Sequence, residues 1–196
     1  MTTIYKHFWV LDVEGNGASP PEIIELAMVE ILSKKLTGKT LHWFVKPNIP
    51  ISHQVTKIHG ITNDDVASEP SIEDIEDDVC MWLEGVAIVG HNVKIEVDAL
   101  RFGLSNWTPS AAIDTLRLAK NLKPGLDSYS LQSLGTELGL SKQAAKLTGR
   151  GHHSALFDAT LTALLFLDLL KTVPALDQHR VVADADILNP PQGSFL

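Results

Sequence analysis

Apolar residues in the first part of this chain occur in short runs, and later they recur at helical spacing. The early runs predict a meander of strands near residues 7–13, 22–32 and 40–46. Pro20, Pro21 and Gly38 are the turn signals that separate them. The later pattern predicts strands over 86–90 and 111–113 and helices over 72–83, 115–121, 130–138 and 155–170. Sheet-forming segments followed by this alternation predict an α/β fold with a mixed central sheet flanked by helices.

Two carboxylates end the first predicted strand. Asp12 and Glu14 lie in the segment HFWVLDVEGNG, and strand alternation places both side chains on one face. Burying two carboxylates without compensation is costly, and a divalent cation would remove that cost. Oxygen ligands of this kind favour Mg²⁺ or Mn²⁺. Taken alone, the triplet is also compatible with a strand whose polar face meets solvent.

Two more clusters place chemically active residues beside apolar segments. Glu96 falls in the first turn of a predicted amphipathic helix that follows His91 and Asn92. Glycines precede His153, and Asp158 lies on a long apolar helix, where a charged side chain needs a partner. The clusters together predict one metal site.

In this order, the three clusters resemble the motifs of the DEDDh, or DnaQ-like, 3′ to 5′ exonucleases, and within that family the small stand-alone enzymes similar to exonuclease X. The resemblance covers roughly residues 6–170 and includes the segments EIIELAMVEI, PISHQVTKIHGITNDDV and DTLRLAKNLKPGLDSYSLQSLGTELGL. The family's first motif matches Asp12 and Glu14, and its third pairs His153 with Asp158. Its second motif matches His91, Asn92, Ile95 and Glu96.

The resemblance implies an RNase H-like fold and a metal-dependent exonuclease that releases nucleoside 5′-monophosphates from the 3′ ends of single-stranded DNA or RNA. It implies two Mg²⁺ or Mn²⁺ ions held by Asp12, Glu14, Glu96 and Asp158. His153 would be the general base, because histidine changes charge near neutral pH, and His152 would be a bystander. The predicted substrate contacts are Gly15, Asn16, His59 and Asn92. The loop that holds His59 is equally compatible with a purely structural role.

The chain departs from the family pattern in two places. Glu96 stands where the family usually has Asp, which makes Asp98 a rival ligand. Residues two apart on a helix do not share a face, and the spacing from His91 favours Glu96. Gly15 and Asn16 follow the first motif where the family commonly has Thr, which leaves the nucleotide contacts open.

Composition limits the classes of protein that the chain can represent. Its 196 residues, 44% of them hydrophobic, predict one exonuclease domain over 1–172 and a C-terminal tail or arm over 173–196. The N-terminus lacks a basic segment followed by an apolar stretch, so we do not expect secretion. The longest apolar stretch is interrupted by Asp168, so we do not expect membrane spanning. Cys80 is the single cysteine, which is typical of a cytoplasmic protein.

A net charge of −8 argues against a protein that coats long duplex nucleic acid. We expect a weaker, local grip on a short single strand by a basic rim. The candidates for this rim are Lys94, Arg101, Lys142, Lys146 and Arg150. Two alternatives stay open: a catalytically inactive DnaQ-like binding module, and a hydrolase of dinucleotides or short oligonucleotides. The preference for DNA or RNA also stays open, and the family resemblance is compatible with a homodimer.

Overall fold

The computed structural model describes residues 6–105 and 107–189. Within them the strands are β1 (His7–Gly15), β2 (Ile23–Leu32), β3 (Lys35–Phe44), β4 (Ala87–Gly90) and β5 (Ala112–Asp114). The helices of the same residues are α1 (His53–His59), α2 (Ile72–Leu83), α3 (Lys94–Gly103), α4 (Thr115–Leu122), α5 (Leu131–Glu137), α6 (Ser141–Thr148), α7 (Ala155–Lys171) and α8 (Gln178–Asp184). None of these helices is both long and apolar enough to cross a membrane.

The described strands form one sheet in the order β3-β2-β1-β4-β5. Strand β2 is antiparallel to β1 and to β3, whereas β4 runs parallel to β1 and to β5. The sheet is therefore mixed, as predicted, and β1 is its central strand. The parallel strands β1, β4 and β5 end at the same edge, which is where α/β proteins place their ligands.

Alternation along β1 builds a core on each face of the sheet. Phe8 and Val10 pack with the buried residues of α7, and the rings of Phe8 and Phe166 lie 5.2 Å apart. Trp9 and Leu11 pack on the other face with residues of α2 and α3. The same alternation carries Asp12 and Glu14 onto the face that α7 covers, beyond the end of the apolar run.

The turn between β2 and β3 lies earlier than predicted. Ser33 and Lys34, with φ angles of 51° and 63°, form a two-residue turn of the kind that matches strand twist. Gly38 therefore does not separate two strands. It lies inside β3 with φ 87°, where the register between β2 and β3 shifts, so this glycine marks a bulge.

The C-terminal segment packs onto the domain as far as it is described. Val182 and Ala185, from α8 and its end, are part of the core on the α7 face. Asp186 forms a bridge with Ile113 on the edge strand β5, and Ile187 packs against the opposite core. The predicted tail or arm therefore packs against the domain at least through Val182, Ala185, Asp186 and Ile187. Residues 190–196 lie outside the described part of the chain.

Candidate active site

The first and third motifs meet at the edge of the sheet. Glu14 lies on β1, and Asp158 lies in the first turn of α7, which covers that face of the strand. Ligand atoms of Glu14, Asp158 and His153 lie within 4.8 Å of one another. Glu14 is more than 130 positions away in the sequence from both His153 and Asp158, and the packing of α7 on β1 brings them together.

Asp12 and Glu96 complete the cluster of carboxylates. The Glu96 side chain, on α3, is 4% exposed, and its Oε2 atom has no hydrogen-bond partner among the described residues. The charges of Glu96 and Asp158 both act on Asp12. Asp98 lies on the exposed face of α3 and forms an ion pair with Lys94. Of the two rival residues on α3, only Glu96 faces the cluster.

The clustered carboxylates hold protons more tightly than isolated ones. Burial raises the pKa of Glu14 to about 7, and the charges of Asp158 and Glu25 add to the shift. Burial also raises the pKa of Glu96 to about 8. The pKa of Asp12 is raised well above its usual range by burial first and then by Glu96, Asp158, Glu14 and Glu25. Buried carboxylate oxygens that repel one another, one of which has no hydrogen-bond partner among residues 6–105 and 107–189, fit a divalent cation.

The second motif is anchored by His91. Its Nε2–H donates to the carbonyl oxygen of Tyr129 over 2.9 Å, and its Nδ1 lies 3.0 Å from the Thr115 hydroxyl. Asn92 follows with φ 65°, and its backbone N–H donates to Asp114 Oδ1 over 2.9 Å. This turn sets the start of α3 and thereby the position of Glu96. The Asn92 side chain is exposed, and its predicted contact with substrate stays a prediction.

The loop before α7 is folded back onto Asp158. The backbone N–H of His153 donates to Asp158 Oδ2 over 2.9 Å, and His153 has φ 64° and an exposed side chain. His152 Nδ1 lies 3.1 Å from Asp158 Oδ1, and its ring packs against Phe157 with centroids 4.6 Å apart. His152 therefore contacts a carboxylate of the site directly, and its predicted role as a bystander of the chemistry stays a prediction.

A cavity of about 240 Å³ adjoins the carboxylates. Glu14, Gly15, Val55, Ile58, His59 and Ile95 are among the residues that line it. The Nδ1 atom of His59 accepts a hydrogen bond from the Ile61 N–H over 3.0 Å, which places the ring proton on Nε2. That buried Nε2 has no hydrogen-bond partner of standard geometry within the described residues. Burial lowers the pKa of His59, and the neighbouring Gly15 backbone opposes the shift.

Asn16 supports the loop that borders this cavity. Its Oδ1 accepts hydrogen bonds from the N–H groups of Ala18 and Glu22, each over 3.0 Å. Its Nδ2 donates to the Ile49 carbonyl oxygen over 3.0 Å, and the side chain is buried. The Asn16 side chain therefore holds this loop in place, and the predicted contact of Asn16 with substrate stays a prediction. Gly17, with φ 82°, follows it, and a Cβ there would lie 2.6 Å from Ser52 Oγ.

Glu25 is a buried carboxylate beside the site that the motif analysis missed. It lies on β2 directly opposite Glu14 in the strand register. The available signal was an acidic residue inside the apolar run EIIELAMVEI, where alternation places it on the same face as the site. Its partners come from β3 and from the loop before α7, which spacing alone does not reveal.

Comparison with known proteins agrees with this geometry. The sequence model of the exonuclease family matches residues 9–166. The epsilon subunit of DNA polymerase III from Buchnera aphidicola is 32% identical, over 81% of this chain and 72% of that protein. The PolC-type DNA polymerase III of Thermotoga maritima is 36% identical over 82% of this chain, which spans only 12% of that protein.

Solved structures give the same fold. A structure of exonuclease X in complex with 5′ overhanging duplex DNA superposes with a TM-score of 0.72 and 30% identity, over 89% of this chain and 99% of that one. The nuclease domain of a DEDDh family member bound to rAMP superposes at 0.69 with 19% identity, over 87% and 94% of the two chains, and shows the fold alone. The sheet and its helices are therefore RNase H-like, as predicted. The chain belongs to the DEDDh, or DnaQ-like, family of 3′ to 5′ exonucleases, which are hydrolases that depend on divalent metal ions.

Proposed function

We propose that this protein removes nucleoside 5′-monophosphates from the 3′ ends of single-stranded DNA or RNA, by two-metal hydrolysis with His153 as the general base. The observation that carries the proposal is the meeting of Asp12, Glu14, Glu96 and Asp158, from three distant segments, beside His153 at one sheet edge. The structure of exonuclease X with duplex DNA supports a DNA end as one substrate.

The four carboxylates would hold two Mg²⁺ or Mn²⁺ ions. Asp12 would be central to this set, because the charges of Glu14, Glu96 and Asp158 all act on it. Glu14, Glu96 and Asp158 would supply the other carboxylate oxygens that hold the ions. When bound, the ions would neutralise charge on the phosphate and favour deprotonation of the attacking water.

His153 would take the proton from the attacking water at a ring nitrogen. Its side chain is exposed, and a ring nitrogen lies within 4.8 Å of carboxylate oxygens of Glu14 and Asp158. The water oxygen bonds to phosphorus, and the bond from phosphorus to the 3′ oxygen of the preceding nucleotide breaks. The products are a nucleoside 5′-monophosphate and a strand with a new 3′-hydroxyl, whose oxygen takes up a proton.

The cavity beside the carboxylates would hold the terminal nucleotide. Ile58 on α1 and Ile95 on α3 are each 56% exposed on its two walls, which suits contact with the faces of a base. The buried Nε2–H of His59 makes no hydrogen bond of standard geometry in the described chain. We propose that it donates a hydrogen bond to an acceptor atom of this nucleotide. Gly15 borders the same cavity, where its lack of a side chain leaves room for the nucleotide.

One observation favours a second substrate class. The net charge of −8 suits hydrolysis of dinucleotides or short oligonucleotides better than a grip on a long polymer. Raising the salt concentration from about 50 to 200 mM should weaken polymer cleavage roughly tenfold or more in kcat/KM and hardly change dinucleotide cleavage.

The proposal is tested by digestion of matched 5′-labelled single-stranded DNA and RNA, with Mg²⁺, with Mn²⁺ and with a chelator, resolved as ladders. We expect a ladder that shortens from the 3′ end only when metal is present, and the faster strand identifies the preferred sugar. Intact strands in every lane, together with cleavage of a dinucleotide, would replace the polymer substrate by the short one. Intact strands and an intact dinucleotide would leave only a binding role.

A further inference from the structure

Glu25 is held inside the protein by contacts that use both of its carboxylate oxygens. Its side chain is 2% exposed, and it lies opposite Glu14 in the register of β2 and β1. Oε1 accepts a hydrogen bond from His42 Nε2 over 2.7 Å and lies 3.5 Å from Arg150 Nη1. Oε2 accepts a hydrogen bond from the backbone N–H of Ala155 over 3.0 Å.

These contacts bracket the loop that carries His153. Arg150 precedes the loop, and Ala155 is the first residue of α7 after it. Inside the loop, His153 has a left-handed backbone with φ 64°, and its N–H donates to Asp158. A non-glycine residue keeps such a backbone only where its surroundings fix it. Glu25 fixes both ends of the loop, and Asp158 fixes its centre.

The negative charge of Glu25 disfavours ionisation of the nearby carboxylates Asp12 and Glu14 and adds to their raised pKa values. The position of Glu25 beside them therefore needs a different explanation. A role as a further metal ligand does not fit, because its oxygens are already engaged by His42, Arg150 and Ala155. The contacts point instead to the loop.

We propose that Glu25 is a positioning residue, which holds the loop from Arg150 to Ala155 in the geometry that aims His153 at the attacking water. This inference rests on the proposed role of His153 as the general base. His42 assists by holding the Glu25 carboxylate from the side of β3. Glu25 itself touches neither the substrate nor the reacting atoms.

The test compares Glu25→Ala and Glu25→Gln in the native and His153→Ala backgrounds, with Glu30→Ala as the matched control. Glu30 lies on the same strand and pairs with His7 Nε2 over 3.0 Å, at the other end of β2. We expect Glu25→Ala to lower kcat about 10- to 100-fold, because a small misplacement of a catalytic group is costly. Glu25→Gln, which keeps an acceptor for the Ala155 N–H, should restore most of the rate. Glu30→Ala should leave kcat unchanged.

A second comparison separates positioning from general damage. If Glu25 acts through His153, its removal should lower kcat less than about threefold once His153 is already Ala, with kcat measured at saturating Mn²⁺ in both backgrounds. The same loss of kcat in both backgrounds would overturn the proposal. If Glu25→Ala does not fold, the Glu25→Gln variant carries the same comparison through a smaller loss of kcat.

The backbone amide resonance of His153 distinguishes failure of this inference from failure of the general base. We expect the resonance to shift in Glu25→Ala and not in Glu30→Ala. An unshifted resonance would overturn the positioning role whatever the base is. A shifted resonance together with full activity of His153→Ala would instead reject His153 as the base and, with it, the catalytic purpose of the positioning.

Discussion

At the scale of single residues, Glu96 and Asp98 of the second motif differ in their burial and in their partners. Glu96 is buried, and one of its carboxylate oxygens has no hydrogen-bond partner in the described part of the chain, whereas Asp98 is exposed and paired with Lys94. We predict that Glu96→Gln lowers kcat/KM roughly 100-fold or more through loss of a ligand charge. Asp98→Asn, the matched control, should stay within about twofold, since exposed ion pairs contribute little. Ladder assays at saturating Mn²⁺ measure both, and the reverse ranking would make Asp98 the ligand.

Substitution of the two adjacent histidines, His152 and His153, should affect different steps. His153→Ala should lower kcat roughly 100-fold or more while Mn²⁺ affinity stays the same, because a general base acts on the proton and not on the ion. His152→Ala should instead weaken Mn²⁺ binding roughly 10-fold, because His152 orients Asp158. Calorimetric Mn²⁺ titration beside single-turnover kinetics gives both quantities. Unchanged turnover of His153→Ala would remove it from the proposed mechanism.

Some residues of the site can be placed from the sequence alone, and others cannot. Alternation along one strand suffices to place Asp12 and Glu14 on a single face, because the period of a strand is fixed. The contact between Glu25 and Ala155 spans 130 positions, and only the packing of α7 on the sheet creates it. His152 and His153 sit in a loop, where no periodicity indicates which ring turns inward.

At the scale of secondary structure, the strongest patterns predicted the elements best. Helix α7 spans 17 mostly apolar residues, and α2 begins at a capping box formed by Ser71 and Asp74. Helices α6 and α8 were missed, since their short polar sequences carry weak periodicity and depend on packing for stability. The hairpin turn was misplaced because Ser33 and Lys34 are not the residues usually found in such turns.

Helices α1 and α3 form the apolar walls of the proposed nucleotide cavity. We predict that Ile58→Ser and Ile95→Ser each raise KM about 5- to 10-fold for a single-stranded DNA end, since each removes contact with a base. Neither should change kcat by more than about twofold, because the carboxylates are untouched. Leu176→Ser, at an almost fully exposed leucine far along the chain, is the control. Initial-rate kinetics on a 5′-labelled oligonucleotide measure the effect, and an unchanged KM in both variants would reject these walls as the base-binding surface.

At the scale of the whole molecule, the carboxylate cluster connects folding stability to pH and to metal. The folded protein raises the pKa of Glu14 from 4.5 to about 7 and that of Glu96 from 4.5 to about 8. Between pH 4.5 and about 7 for Glu14, and between pH 4.5 and about 8 for Glu96, the metal-free folded state holds protons that the unfolded chain has already released. The free energy of unfolding must therefore fall as pH rises through this interval.

We predict that the metal-free protein loses roughly 5–10 °C of Tm between about pH 6.5 and 8.5. A histidine of ordinary pKa is half-protonated at about pH 6.5 and mostly neutral by about pH 8, but its ionisation changes stability only where folding shifts its pKa. The loss of Tm therefore belongs mainly to the buried carboxylates. Saturating Mn²⁺ should abolish most of it, because a cation stabilises the charged carboxylates and binds only the folded state. Thermal melts in a chelator and in Mn²⁺ measure the difference.

Variants assign this pH dependence to the cluster. Glu96→Gln cannot ionise at that position, so its metal-free Tm should fall clearly less over the same window, whereas Asp98→Asn should follow the native curve. A metal-free Tm that stays level from pH 6.5 to 8.5 would mean that the carboxylates do not share a low-dielectric site. If the fall is present but Mn²⁺ leaves it unchanged, the cluster exists and is not where the metal binds, which would separate the electrostatic argument from the catalytic one.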